Sequence, residues 1–288
     1  MTPRHAYIQT NDLSLSYYEW GHKDDPVILL VHATGMHGLI WSECIQALPS
    51  GFRIIALDIR GHGLSKYEGH LLDWSLMGDD VKFAIEALDL NDIIGVGHSM
   101  GGHALLQACL DMQNRFQRLV LIDPVIFSPE RYATVLDFEI GAPEDNPISR
   151  RRNQFDRWQD LEDAFKDRLP FSRWMPETFK KYCEYGVKKS GDGVSLACNP
   201  VTEASVYMGH CSVDLSGRLG ELDLPVTVMR ARQAEPMQNG RIDFSASPTW
   251  TELAAKIPNG KDVFLPEFSH FIPMEDPKLT AEYIMEIR

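Results

Sequence analysis

The most restrictive stretch of this chain is Gly97-His98-Ser99-Met100-Gly101-Gly102. It follows an apolar run, Asp92-Ile93-Ile94-Gly95-Val96-Gly97, that reads as a strand. It opens a segment in which Ala104, Leu105 and Cys109 fall on one helical face. Gly-x-Ser-x-Gly between a strand and a helix describes a turn so sharp that its central residue is strained and its neighbours must be small. The serine Oγ is then presented beyond the strand end, near the positive end of a helix. The bare pattern is common, since glycine and serine are common. The strand before it, the helix after it and the third glycine give it meaning.

The rest of the chain supplies the same alternation. Val27–Val31, Arg53–Asp58, Leu119–Ile122, Val226–Met229 and Val263–Leu265 are short apolar runs, mostly rich in β-branched residues. Such runs suit strands covered on both faces. Between Trp74 and Leu90, Met77, Val81, Ala84 and Leu88 recur at helical spacing. Alternating strands and helices predict a mostly parallel sheet in a three-layer α/β sandwich. Residues 7–20 alternate around Asn11-Asp12 and predict an antiparallel hairpin on the sheet edge. The rhythm breaks from Phe127 to Leu222, where no clear strand is visible and aromatic and basic residues are frequent. A helical insertion between two strands of one sheet is the economical reading. Residues 1–126 and 223–288 then form the core, and 127–222 a helical cap. With 288 residues, 44% of them hydrophobic, the chain has ample material for one large core.

A serine hydroxyl is inert at neutral pH without a base. Of ten histidines, His270 is the best placed. It lies just after the last predicted strand and before the last helix, and in a parallel sheet that loop opens on the same edge as the serine turn. His98 adjoins the serine but is expected to point away. His32 is expected to organise a loop, and His5, His22, His70 and His210 have no pattern around them.

Taken together, these segments resemble the α/β-hydrolase superfamily of esterase- and lipase-like serine hydrolases. The resemblance rests on His32-Ala33-Thr34-Gly35, on Asp58-Ile59-Arg60-Gly61-His62-Gly63-Leu64-Ser65, on the serine turn and on the His270 loop, in that order along the chain. It implies a Ser99–His270 pair. It also implies an oxyanion hole from the backbone N–H of Met100 and of Thr34, with Ala33 the alternative because the common His-Gly start is absent. Preorganised donors of this kind act on charge that develops in the transition state. Asp58 through Ser65 is implied to shape a loop rather than to react.

The third member should fix the imidazole tautomer and stabilise imidazolium. Most relatives carry it after the strand matching Val226–Met229. Here that position falls near Ala234, leaving Glu235 as a neighbour and Asp243 as a more distant candidate. Asp123 is the preferred acid. It ends the strand Leu119–Ile122 and precedes Pro124, and certain superfamily members carry their acid there. The competing reading of Asp123 is a turn residue that opens the insertion.

Composition narrows the partners. Charges of 28 Lys and Arg against 41 Asp and Glu give −13, which argues against a general nucleic-acid binder. No apolar run reaches the length of a membrane span, and the first residues lack the apolar stretch of a secretion signal. Five scattered cysteines without metal-ligand spacing predict free, mostly buried thiols in a reducing compartment. Arg150-Arg151-Arg152 with Arg157 predicts a solvated face of the insertion rather than an anion clamp. The expectation is a cytoplasmic enzyme cleaving a small or medium apolar carboxylic ester through an acyl-enzyme, with no metal or organic cofactor. Its partner is a small-molecule substrate, and homodimerisation stays open. Two alternatives remain: the same triad on a thioester, lactone, amide or carbon–carbon bond, and a ligand-binding protein on a hydrolase scaffold.

Overall fold

Val27–Val31, Arg53–Leu57 and Ile93–His98 are buried at every residue, as strands packed on both faces must be. They form the centre of an eight-stranded sheet in a computed structural model that describes residues 2–9, 13–135, 141–233 and 245–286. In chain order the strands of the molecule are β1 (Arg4–Gln9), β2 (Ser14–Trp20), β3 (Val27–Val31), β4 (Arg53–Leu57), β5 (Ile93–His98), β6 (Phe116–Ile122), β7 (Gln154–Phe155), β8 (Val187–Ser190), β9 (Gly193–Leu196), β10 (Val226–Ala231) and β11 (Gly260–Leu265). The main sheet runs β1-β2-β4-β3-β5-β6-β10-β11. Only β2 opposes its neighbours; every other pairing is parallel.

The helices are α1 (Ser42–Ala47), α2 (Ser75–Ala87), α3 (Met100–Asp111), α4 (Pro129–Val135), α5 (Trp158–Phe165), α6 (Pro176–Tyr185), α7 (Pro200–Met208), α8 (Ile272–Glu275) and α9 (Pro277–Ile284). Alternate residues of β3 point to opposite sides of the sheet. Leu29 and Val31 join a core with Met77, Val81 and Ala84 of α2 and Leu105 and Cys109 of α3. Ile28 and Leu30 join a second core with Cys44 of α1 and Leu279 and Ile284 of α9. The predicted sandwich is therefore present, with helices on both faces of a mostly parallel sheet. Among the described residues no helix is long and apolar enough to cross a membrane.

The β1–β2 hairpin forms with Ile8 opposite Leu15; Asn11 and Asp12 lie outside the described residues. Between Ile122 and Val226 the chain leaves the main sheet. The expectation of a stretch without strands is corrected here: β7, β9 and β8 make a small antiparallel sheet beside the helices. Its strands are two to four residues long, too short for an alternating pattern to show. Val187-Lys188-Lys189-Ser190 is also largely exposed and polar, and Gly191 turns the hairpin at φ +57°.

Candidate active site

The sheet brings three chain segments to one edge. β5 stops at His98 and α3 begins at Met100, so Ser99 alone makes the turn. It does so at φ 56° and ψ −120°, a region that costs a non-glycine residue of order 1–3 kcal/mol. The glycines around it are required by contact. A Cβ on Gly97 would lie 2.6 Å from the carbonyl oxygen of Gly101, and one on Gly101 would lie 2.4 Å from those of Val31 and His32. The start of α3 is thus pressed against the end of β3 and the loop that follows it.

β6 ends beside β5, with Ile122 opposite His98. Asp123 follows at φ 44°, a left-handed conformation that aspartate tolerates better than most residues. Its N–H donates to the Met229 carbonyl at 2.7 Å, which aims the side chain across the end of β10. The carboxylate is fully buried. Oδ1 accepts the Ala231 N–H at 3.0 Å and hydroxyl protons from Ser247 at 2.5 Å and Thr249 at 3.3 Å. Oδ2 lies 2.7 Å from Nδ1 of His270. A buried carboxylate needs such donors in place of water.

His270 follows β11 and is held at both ends of its backbone. Its N–H donates to the Ser245 carbonyl at 2.8 Å. Its carbonyl accepts from Nε2 of His98, also at 2.8 Å. The other ring nitrogen, Nε2, stands 2.9 Å from Ser99 Oγ. Ser99, His270 and Asp123 therefore form one hydrogen-bonded line across three segments, with Ser99 6% and His270 9% exposed. With Asp123 as acceptor, Nδ1 carries the proton and Nε2 faces the serine hydroxyl with a lone pair.

His98 makes no hydrogen bond to Ser99; its side chain turns instead toward the His270 loop, where Nε2 donates to the His270 carbonyl. Its buried ring lies 5.0 Å from that of His270. Burial, and then the neighbouring imidazole of His270, push its pKa well below the ordinary value, so it stays neutral. His32 organises the loop after β3: Nδ1 donates to the Ala33 carbonyl at 2.8 Å and Nε2 accepts the Ile59 N–H at 3.1 Å. Ala33, Thr34 and Met100 are all buried. Asp58 is fully buried, accepting from Gly38 N–H, Leu64 N–H and Ser16 Oγ. It ties three segments together and takes no part in the Ser99 line. Glu235, Asp243 and the Ala234 position lie outside the described residues.

The basic run is not uniformly solvated. Arg150, Arg152 and Arg157 are exposed, but Arg151 is half-buried and donates to Glu203 at 2.6 Å. Burial raises the pKa of Glu203 and Arg151 pulls it back. The Glu203 carboxylate fills the space over Gly35, where a Cβ would meet Oε1 at 2.8 Å. The aromatics of the insertion pack chiefly on one another. The Phe171 ring lies 5.1 Å from those of Trp174 and Phe179 and 5.5 Å from Tyr182. All five cysteines are buried and unpaired. Sequence reasoning missed the support given by His98, Ser247 and Thr249. The small, hydroxyl-rich run Ser245-Ala246-Ser247-Pro248-Thr249 is the signal that could have flagged the last two.

A parallel sheet that delivers a strained serine turn, a histidine loop and a buried carboxylate to one edge defines a hydrolase architecture. The chain belongs to the alpha/beta hydrolase fold family, whose sequence model matches residues 26–277. It is 26% identical over 280 residues to the bifunctional esterase/perhydrolase of Acinetobacter calcoaceticus, covering 93% of this chain and 94% of that protein. Among solved structures it is similar to a thioesterase domain from the curacin biosynthetic pathway, with a TM-score of 0.77 at 16% identity, covering 99% of this chain and all of that one. It is also similar to an E-2-(acetamidomethylene)succinate hydrolase, with a TM-score of 0.76 at 20% identity, covering 99% and 98%. At such identities the structural likeness shows the fold. The names of the sequence relatives support hydrolase activity.

Proposed function

We propose that this protein is a serine hydrolase that cleaves a carboxylic ester of a small or medium apolar substrate through an acyl-enzyme. The observation that carries the reading is the position of the His270 ring, 2.9 Å from Ser99 Oγ on one side and 2.7 Å from Asp123 on the other. Nε2 of His270 takes the hydroxyl proton as Oγ adds to the ester carbonyl. Asp123 holds the tautomer and stabilises the imidazolium that forms. The N–H groups of Met100 and Thr34, or Ala33 in its place, face the developing oxyanion. His270 then gives its proton to the leaving alkoxide. In the second half the same nitrogen takes a proton from water as the water oxygen adds to the acyl carbon. The bond from that carbon to Ser99 Oγ then breaks, His270 returns the proton to Oγ, and the acid is freed. This sequence uses side chains and backbone amides alone.

The segment 127–222 acts as the cap over this edge. Its apolar packing and the low exposure of Ser99 and His270 favour a compact, apolar acyl group. Five buried thiols suit a reducing, cytoplasmic setting. The relative named as an esterase favours an ester over the other bonds that the same triad can cleave.

Intact mass after incubation with a fluorophosphonate tests the reading. The expected result is one adduct on wild type, with fluoride displaced from phosphorus by Ser99 Oγ, and none on Ser99→Ala. A panel of esters of increasing acyl length then ranks the substrates. Wild type that stays unmodified while binding a ligand unchanged would overturn the reading in favour of a binding protein.

A further inference from the structure

The loop that carries His270 is tied to the insertion by one arginine. Arg173 lies at the end of the turn Phe171–Arg173 that precedes α6. Its Nε and Nη2 donate to Oε1 and Oε2 of Glu275 at 3.0 and 2.8 Å, a bidentate pair. Nη2 also reaches the Glu267 carbonyl at 2.7 Å. The Glu275 carboxylate is 5% exposed, against 40% for the Arg173 side chain. On its inner side Glu275 accepts a short hydrogen bond from Ser269 Oγ. Ser269 Oγ in turn accepts the Phe271 N–H at 3.3 Å. Ser269 and Phe271 are the two chain neighbours of His270.

Two more contacts follow the same path. The Met175 N–H donates to the Met274 carbonyl at 2.8 Å, and the Trp174 ring sits 5.2 Å from that of Phe271. Residues 173–175 of the insertion thus grip residues 267–275 at four points around the base. A fork-shaped guanidinium fixes both distance and plane of the carboxylate it meets, which an ammonium cannot do.

We propose that Arg173 and Glu275 are positioning residues that set the His270 ring for proton transfer, so that the seating of the insertion is read out at the base. The proposal rests on the serine-hydrolase reading above for its kinetic consequence, but not for its structural half. Neither residue touches Ser99 or the reacting atoms. Their effect passes through Ser269 and the backbone on either side of His270, and an ångström of misplacement at a reacting group can cost about a hundredfold in rate.

The test compares wild type, Arg173→Lys, Arg173→Ala and Glu275→Gln in the full chain. The rate constant for labelling by a fluorophosphonate and the final labelling stoichiometry are followed together with amide hydrogen exchange. Arg173→Ala is expected to label ten- to a hundredfold more slowly while still reaching one adduct per chain. Its kcat on an ester should fall by the same factor with KM nearly unchanged, and Arg173→Lys should recover only part of the loss. Exchange should quicken in 267–276 and stay unchanged in 99–111. Labelling and exchange at wild-type values in Arg173→Ala would overturn the proposal. So would a loss explained by fewer labelled chains at an unaltered rate, which is the mark of a merely structural role. If wild type itself fails to label, the hydrolase reading falls, and the exchange at 267–276 still decides whether Arg173 holds the loop.

Discussion

The Asp123 carboxylate, which ends one strand, accepts the backbone N–H of Ala231 at the end of the next strand, 3.0 Å away. The carboxylate thus reaches across the end of β10 and meets Nδ1 of His270 from there, at 2.7 Å. Its other donors, Ser247 and Thr249, leave the second oxygen to Nδ1 of the imidazole.

Asp123→Asn tests that assignment. Asparagine tolerates the positive φ and can still accept from Ala231 and Ser247, so the fold should persist. Its amide nitrogen cannot accept from Nδ1–H, and the imidazole is driven to the wrong tautomer. The kcat should fall by about 10⁴ with a melting temperature within a few degrees of wild type. Near-normal turnover by the folded variant would sink Asp123 as the acid.

The strain at Ser99 predicts an inverted ranking of two inactive variants. Ser99→Ala keeps a Cβ at φ 56° and ψ −120°, whereas Ser99→Gly removes it. Glycine adds chain entropy to the unfolded state, which offsets part of the gain. Ser99→Gly should nonetheless be more stable than Ser99→Ala by about 1 kcal/mol in urea unfolding, against the usual order. Equal midpoints would mean that the turn stores no strain.

The fold is legible in the sequence because its central strands are buried on both faces and therefore read as unbroken apolar runs. The serine turn is legible because two backbone approaches, at Gly97 and Gly101, allow no side chain. The small sheet of the insertion is not legible. Two- to four-residue strands carry no period, and Lys188 and Lys189 read as surface. Arg151 reads as one of three solvated charges because its partner, Glu203, lies far off in the chain. The same holds for Thr249 on Asp123 and for Arg173 on Glu275: contacts between distant segments leave no local pattern.

Gly101→Ala should be severe. The new Cβ would sit 2.4 Å from two backbone carbonyl oxygens, which cannot swing aside as a flexible side chain could. The start of α3 has to shift away from β3, at about 1–3 kcal/mol or more for overpacking. The Met100 N–H moves with it, so kcat should drop even in the fraction that folds. Urea midpoints and kcat per labelled site measure the two effects separately.

Buried histidines set the acid limit. Burial pushes His37, His62 and His103 down to about 4 and holds His32 and His98 well below the ordinary value. The unfolded chain takes up these protons near pH 6.5, and the folded chain does so only near or below pH 4. Between those limits the unfolded state binds more protons. Stability is therefore full above pH 6.5 and is lost as pH falls toward 4. Asp58, Asp80 and Glu203, all raised by burial, act with the opposite sign and reduce the net slope. His103→Gln keeps a donor for the Val213 carbonyl, which His103 now meets at 3.1 Å. It should lower the slope by about one proton, or about 1.4 kcal/mol per pH unit. Urea midpoints at pH 7, 6 and 5 check this, and an unchanged slope would contradict it.

Asp58 separates stability from chemistry within the stretch that the family model matches. Its carboxylate is the shared acceptor for Gly38 N–H at 2.6 Å, Leu64 N–H at 2.9 Å and Ser16 Oγ at 2.8 Å, and none of these groups meets the Ser99 line. Asp58→Ala strands two buried donors, the Gly38 N–H and Ser16 Oγ, each costing about 1–3 kcal/mol, and takes the acceptor from the more exposed Leu64 N–H. Asp58→Asn keeps an acceptor and should lose less. Both variants should show lower urea midpoints, ranked Ala below Asn below wild type. The kcat per fluorophosphonate-labelled site should stay within a few-fold of wild type, because the carboxylate supports the loops around the site and touches no reacting atom. A large fall in kcat per site in well-folded Asp58→Asn would give this carboxylate a part in the chemistry.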